Sequence, residues 1–215
     1  MSDCCSPRGY RQIFSERNAR SDARRYRRRG LDDVSRLVVR LVRERGVSGR
    51  TLLEVGGGVG AIEIELLKAG LSRAVSVELT PTYEEEAGAL LHEHGFDDRV
   101  ERKVLDFAQA GGGVDPADFV VLNRVLCCYP DMPLLAGAAA DHARRALVLT
   151  FPNDRWWTRL AFTLVNASLR VARRQFRIFL HPPASILATA ERHGLRRTFS
   201  ESGRIWHVVA MERAA

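Results

Sequence analysis

Lysine is nearly missing from this 215-residue chain. Lys68 and Lys103 are the only two, so arginine supplies almost all of the 33 basic residues behind a formal net charge of +7. So one-sided a choice fits a GC-rich coding sequence and tempers any reading of the charge as a functional signature. Cysteine is sparse as well, and its four copies come as two adjacent pairs, Cys4-Cys5 and Cys127-Cys128. Neighbouring cysteines seldom bridge to each other, and the start Met1-Ser-Asp-Cys-Cys lacks the basic and apolar stretches of a secretory leader. A reduced, cytoplasmic protein is therefore expected. Standard zinc spacings are absent, and no metal is expected. No apolar run reaches membrane-spanning length. With 46% hydrophobic and 27% charged residues, the chain reads as one globular domain with a sizeable core.

What is present is concentrated in a few places. Basic density peaks between Arg8 and Arg29, with Arg24-Arg25-Tyr26-Arg27-Arg28-Arg29 at its centre. Such a cluster could neutralise phosphates as a nucleic-acid arm. Glu16 and Asp22 interrupt it, however, and Tyr10, Ile13, Phe14 and Tyr26 supply an inward face, so a solvated helix is the expectation. A second amphipathic helix is predicted from about 32 to 45, with Val34, Leu37, Val38, Leu41 and Val42 on one face. Residues 1–48 are thus expected to be a helical cap, followed by a core over 49–215. In that core strands and helices alternate as far as about residue 151, which implies a mostly parallel sheet with helices on both faces.

The run Thr51-Leu-Leu-Glu54-Val-Gly56-Gly57-Gly58-Val-Gly60 carries the most information. An apolar strand ends in an acid, glycines follow at alternate positions, and Ala61-Ile62-Glu63-Ile64-Glu65-Leu66-Leu67 then reads as a helix. Glycines let a backbone turn tightly and let a ligand approach it closely, and a strand–loop–helix junction is a usual nucleotide site. Gly56-x-Gly58-x-x-Ala61 also satisfies a relaxed dinucleotide fingerprint, which leaves an NAD-type oxidoreductase as an alternative.

The acid ahead of the glycines resembles motif I of class I S-adenosylmethionine-dependent methyltransferases. Further resemblance lies downstream, in Ala74-Val75-Ser76-Val77-Glu78-Leu79, in Val100-Glu-Arg-Lys-Val-Leu-Asp106-Phe107, and in Ala117-Asp118-Phe-Val-Val-Leu-Asn123-Arg124. These look like that family's second, third and fourth strands. The resemblance implies a Rossmann-like α/β fold with a seven-stranded sheet and an antiparallel strand at its C-terminal edge. It also implies S-adenosylmethionine as cofactor, held by Glu54, Gly56, Gly57, Gly58, Gly60, Glu78, Leu79, Asp106, Phe107 and Asn123. Within it, Glu78 would hold the ribose hydroxyls and Asp106 would lie toward the adenine amine.

Methyl transfer asks the protein to align nucleophile, methyl and sulfur, exclude water and sometimes remove a proton. The wall beside the methyl group is expected from Asn123 to Asp131, where Cys127-Cys128 stands in place of the histidine pair of many relatives. Both cysteines are expected to be small apolar residues. The alternative is a thiophilic metal or metalloid held together with Cys4 and Cys5. Candidate bases are His181, in a corner before Pro182-Pro183, and Tyr129, although a carboxylate acceptor would need none. The acceptor is expected to be a small molecule, bulky or acidic and methylated at oxygen, touching Tyr10, Phe14, Arg124, Cys127, Cys128, Tyr129, Trp156 and His181. Phe-Pro after the fifth strand, a long helix and Phe176-Arg-Ile-Phe-Leu-His-Pro-Pro resemble, more weakly, the insertion of magnesium-protoporphyrin O-methyltransferases, here at about 152–183. The helix at 156–174 is expected to be a core or lid helix, with a membrane-surface role as the alternative. Nucleic acid is not the expected partner, and composition carries no signal for an oligomeric state.

Overall fold

The computed structural model describes residues 7–213. Seven strands form one sheet: β1 (Thr51–Val55), β2 (Arg73–Glu78), β3 (Val100–Val104), β4 (Ala117–Asn123), β5 (Ala143–Pro152), β6 (Leu195–Ser202) and β7 (Trp206–Arg213). Their spatial order is β3-β2-β1-β4-β5-β7-β6. The first five run parallel, and β7 is inserted antiparallel between β5 and β6. The antiparallel strand is therefore the last in sequence but not the last in the sheet; β6 takes that edge. Central strands such as Phe-Val-Val-Leu in β4 are apolar at successive positions because both faces are covered.

Helices α1 (Pro7–Ile13), α2 (Glu16–Arg29), α3 (Asp33–Glu44), α4 (Ala61–Lys68), α5 (Glu84–His94), α6 (Phe107–Ala110), α7 (Met132–His142), α8 (Trp156–Val171) and α9 (Pro183–Arg192) complete the described residues. The N-terminal helix expected as one piece is split at Ser15. The Ser15 hydroxyl accepts from the Asn18 amide and caps α2, as a short polar side chain at that position should. Helix α3 starts the same way, with Asp32 accepting from the Ser35 amide at 3.0 Å. Its Leu37, Val38, Leu41 and Val42 are buried against Phe119, Val121 and Val148 of the sheet. That helix is a layer of the core.

Helix α2 buries Ala19, Ala23 and Tyr26 beside Leu90 and Leu91 of α5. Several of its arginines meet acids of this chain: Arg25 pairs with Asp22, and Arg27 with Glu93 and Glu86. Its other arginines are exposed. Helix α8 departs from expectation. Among its residues only Thr158 is buried, so it is neither a core helix nor a covered one. No helix of the described residues is long and apolar enough to cross a membrane.

Phe119 is fully buried between α3 and the sheet. Phe119→Ala should lower unfolding free energy by about 3–5 kcal/mol, because the sheet centre cannot close around the void. Urea unfolding measures this through a fall in midpoint at constant slope.

Candidate active site

Strands β1 and β4 are neighbours, yet their following helices leave toward opposite sides, which opens a crevice at their carboxyl ends. A cavity of about 330 Å³ occupies it. Its floor is Glu54 to Val59, with Glu78, Leu79 and Thr80 on one side and Asp106, Phe107 and Ala108 beyond. Asn123, Arg124, Val125, Cys128 and Tyr129 form the opposite wall, and Tyr10, Phe14, Asp22, Arg25 and Tyr26 roof it from the cap.

The loop needs its glycines for space as much as for turning. At Gly56, with φ +70°, a Cβ would stand 2.6 Å from Val125, and at Gly57 it would stand 2.7 Å from the Glu54 carboxyl carbon. Both contacts are closer than packed atoms tolerate. Backbone can therefore line the cavity where side chains would fill it. The amide of Gly58 donates to Glu78 Oε1, which fixes the acid at the end of β2 against the loop. Burial pushes the Glu78 carboxyl up to about 7, against the opposing pull of the Gly58 amide and Arg102. Glu54, 1% exposed, accepts from the Glu63 amide at 3.1 Å, and burial pushes its carboxyl well above the usual range.

The sequence reading passed over Arg102. In register across the sheet, Glu54, Ser76 and Arg102 form one polar row over β1, β2 and β3. From that row the guanidinium reaches Glu84 at 2.9 Å, Gly58 O and Ser76 Oγ at 3.1 Å, and Glu63 at 3.3 Å. Glu63 is fully buried, its second oxygen lacks a partner, and burial pushes its carboxyl up to about 7.

Other expected residues fall in several groups. Asp106 and Phe107 reach the cavity, but the Asp106 carboxylate already accepts from the Tyr129 hydroxyl at 3.0 and 3.1 Å and from Gln109 at 2.9 Å. Burial, together with Asp106, pushes the Tyr129 hydroxyl up to about 12, so it stays protonated and serves poorly as a base near neutrality. Asn123 is tied at both ends, to Ser35 at 3.2 Å and to Thr150 at 2.8 Å. Arg124 adopts φ +63° and forks onto Asp32 at 2.8 and 3.0 Å, over the Trp206 ring. Its Nε is buried without a partner.

Cys128 lines the cavity and Cys127 is buried behind it, their sulfurs 3.8 Å apart. A hydrogen bond from Cys128 pulls the Cys127 thiol below its usual value. Cys4 and Cys5 lie outside the described residues. Among the described residues, no cluster of side chains is built to hold a metal ion.

Gly60, Trp156 and His181 do not reach the cavity. Gly60 caps α4 in a left-handed turn, and Trp156 is 76% exposed. His181 Nε2 lies 3.0 Å from the Tyr129 carbonyl and its ring stacks on Phe179, which braces the wall from behind. Two cap residues that the sequence did not assign to the site hold the roof in place. Asp22 accepts from Tyr83 at 3.1 Å, and Tyr26 donates to Glu65 at 2.7 Å. Tyr10 donates to the Cys128 carbonyl, and its ring meets Phe176 at 5.4 Å. A signal for these pairings was not available locally, since each joins residues far apart in sequence.

Residues 12–201 match the family model of a methyltransferase domain. None of the curated proteins matches the sequence. Among solved structures, magnesium protoporphyrin IX methyltransferase from Synechocystis PCC 6803, with bound SAH, is 20% identical. That likeness covers 96% of this chain and 97% of that one, with a TM-score of 0.71. An O-methyltransferase family protein from Burkholderia thailandensis is 23% identical over 84% of this chain and 56% of that one, TM-score 0.66. An O-methyltransferase family 2 protein from Planctomyces limnophilus, in complex with apigenin, is 18% identical over 86% of this chain and 63% of that one, TM-score 0.60. Crevice, glycine loop and family match agree, and they dispose of the dinucleotide alternative: this chain belongs to the S-adenosylmethionine-dependent methyltransferases of the class I fold.

Proposed function

We propose that the chain methylates an oxygen of a bulky or acidic small molecule, in the cytoplasm. The observation that carries this reading is a single cavity running from the Glu78–Gly58 end to an aromatic and thiol-lined end at Tyr10, Phe14 and Cys128. One end suits a nucleoside and the other a flat apolar body. The residues present fit the cofactor: a carboxylate positioned by a loop amide can accept from paired hydroxyls, and the loop backbone leaves room for close approach. When bound, S-adenosylmethionine supplies an activated methyl group. The chain's own residues bind, orient and exclude water. Glu54, Gly56, Gly57, Gly58, Glu78, Leu79, Asp106 and Phe107 are assigned to the cofactor end; Tyr10, Phe14, Arg124, Cys128 and Tyr129 to the acceptor end.

No histidine lines the cavity, and Tyr129 is held protonated. An acceptor already ionised at neutral pH, such as a carboxylate, needs no proton removed. Arg124, whose charge is paired with Asp32, brings one buried donor without a partner to that end. A free thiol at Cys127 suits a reducing compartment.

Methyl transfer from labelled cofactor to a panel of aromatic carboxylates, phenols, thiols, arsenite and RNA, read by mass spectrometry, tests the acceptor class. A methyl ester is expected. Transfer confined to thiols or arsenite would shift the assignment to the Cys127–Cys128 pair, and transfer confined to RNA would refute the small-molecule reading.

Glu78 gives a pH prediction. Its folded pKa, about 7, lies above the ordinary 4.5, so it contributes stability below pH 4.5 that is lost as pH rises through about 7. Hydroxyl donors prefer the ionised form, so affinity for S-adenosylhomocysteine should rise over the same interval. Glu78→Gln should bind about tenfold or more weakly above pH 7 and lose most of that pH dependence. Calorimetry on both sides of pH 7 reads it directly, and equal affinities in a folded variant would remove Glu78 from the cofactor site.

A further inference from the structure

Helix α8 presents an outward stripe that nothing in the fold covers. Trp156 is 76% exposed, Leu160 52%, Leu164 61% and Val171 85%. Their spacing of four, four and seven residues places them on one face. The opposite side is anchored: Thr158 is buried, and Asn166 bonds Ile178 in both directions at 2.8 and 2.9 Å. The stripe is therefore a fixed feature of the surface and not the edge of a loose helix.

Positive charge borders most of the stripe, with Asp154 paired to Arg159 at its start at 2.6 Å. Between Arg155 and Ala190 the sequence holds six arginines and no aspartate or glutamate. Arg159 and Arg170 flank the apolar face within the helix, while Arg155 lies before it and Arg173 and Arg174 just after it. We propose that α8 docks the protein in the plane of an anionic lipid bilayer, with Trp156, Leu160, Leu164 and Val171 entering the interface and the arginines meeting phosphate headgroups. An exposed apolar face with tryptophan at one end and arginines along its border is the chemistry of an interfacial helix. A second copy of the chain fits less well, because two such helices laid face to face would bring arginine against arginine. Nucleic acid would leave the apolar stripe uncovered. After α8 the chain leads to Phe176, whose ring packs on Tyr10 and Phe14 of the cavity roof at 5.4 and 5.7 Å. Docking through α8 thus places the roof beside the bilayer, where a flat apolar acceptor would partition.

Flotation of the full chain tests this, using vesicles of phosphatidylcholine alone and vesicles with about one-third phosphatidylglycerol. Binding to the anionic vesicles is expected, at least about tenfold above the neutral ones and weakened by salt. Leu160→Glu with Leu164→Glu should abolish it without changing the melting temperature, since both positions are exposed. Arg24→Glu with Arg28→Glu, in the exposed basic face of α2, should leave most of it. The proposal is overturned if wild-type protein ignores anionic vesicles, or if the Leu160/Leu164 variant floats as well as wild type. It is also overturned if the α2 variant alone loses binding, or if α8 instead drives self-association in sedimentation without vesicle binding.

Discussion

One guanidinium stands under the site. Arg102 lies 9% exposed among carboxylates that have left water, bonded to Glu63 and Glu84 and near enough to Glu54 and Glu78 to act on both through charge. Burying a carboxylate costs several kcal/mol unless a charge or donors compensate it. Even with Arg102 present, Glu63 and Glu78 are pushed up to about 7. The same guanidinium donates to Gly58 O while the Gly58 amide donates to Glu78. Loop position and acid position are thereby set by one network, and the cofactor end of the cavity depends on it.

The rest of the site is attached to that base by long-range contacts. Tyr83 and Asp22 fasten α2 over the loop, Tyr26 fastens it to α4 through Glu65, and Tyr10 joins α1 to the Cys128 carbonyl. On the far wall, the backbone between Asn123 and Tyr129 is braced from Thr150, Asp106 and His181. Tyr10 and Phe14 close the cavity as a thin aromatic layer backed by Phe176.

How much of this was legible in the sequence follows from where the physics resides. The glycine loop, the alternation of strands and helices and the acid after β2 are local patterns, and the structure places Glu54, Gly56, Gly57, Gly58 and Glu78 together at one cavity. Arg102 was not legible because its role comes from strand register, which sets it beside Ser76 and Glu54. Tyr129 and Asn123 looked available as polar groups after a strand; their partners, Asp106, Ser35 and Thr150, are distant in sequence. His181 stood out as a histidine in a Pro-Pro corner, yet its ring faces the back of the wall. Helix α8 had the composition of a core helix, and only its burial shows that the apolar stripe points outward.

Arg102, which does not line the cavity, holds the glycine loop and Glu78 in place. Calorimetric titration of Arg102→Met and Arg102→Lys with S-adenosylhomocysteine, over pH values on both sides of 7, tests it most directly. The folded methionine variant should bind at least about tenfold more weakly and gain affinity only at higher pH than wild type, because the uncompensated carboxylates hold their protons longer. Lysine, which keeps the charge but not the fork, should restore the pH profile more fully than the affinity. A folded Arg102→Met protein with wild-type affinity and an unshifted pH profile would show that the loop and Glu78 do not depend on Arg102.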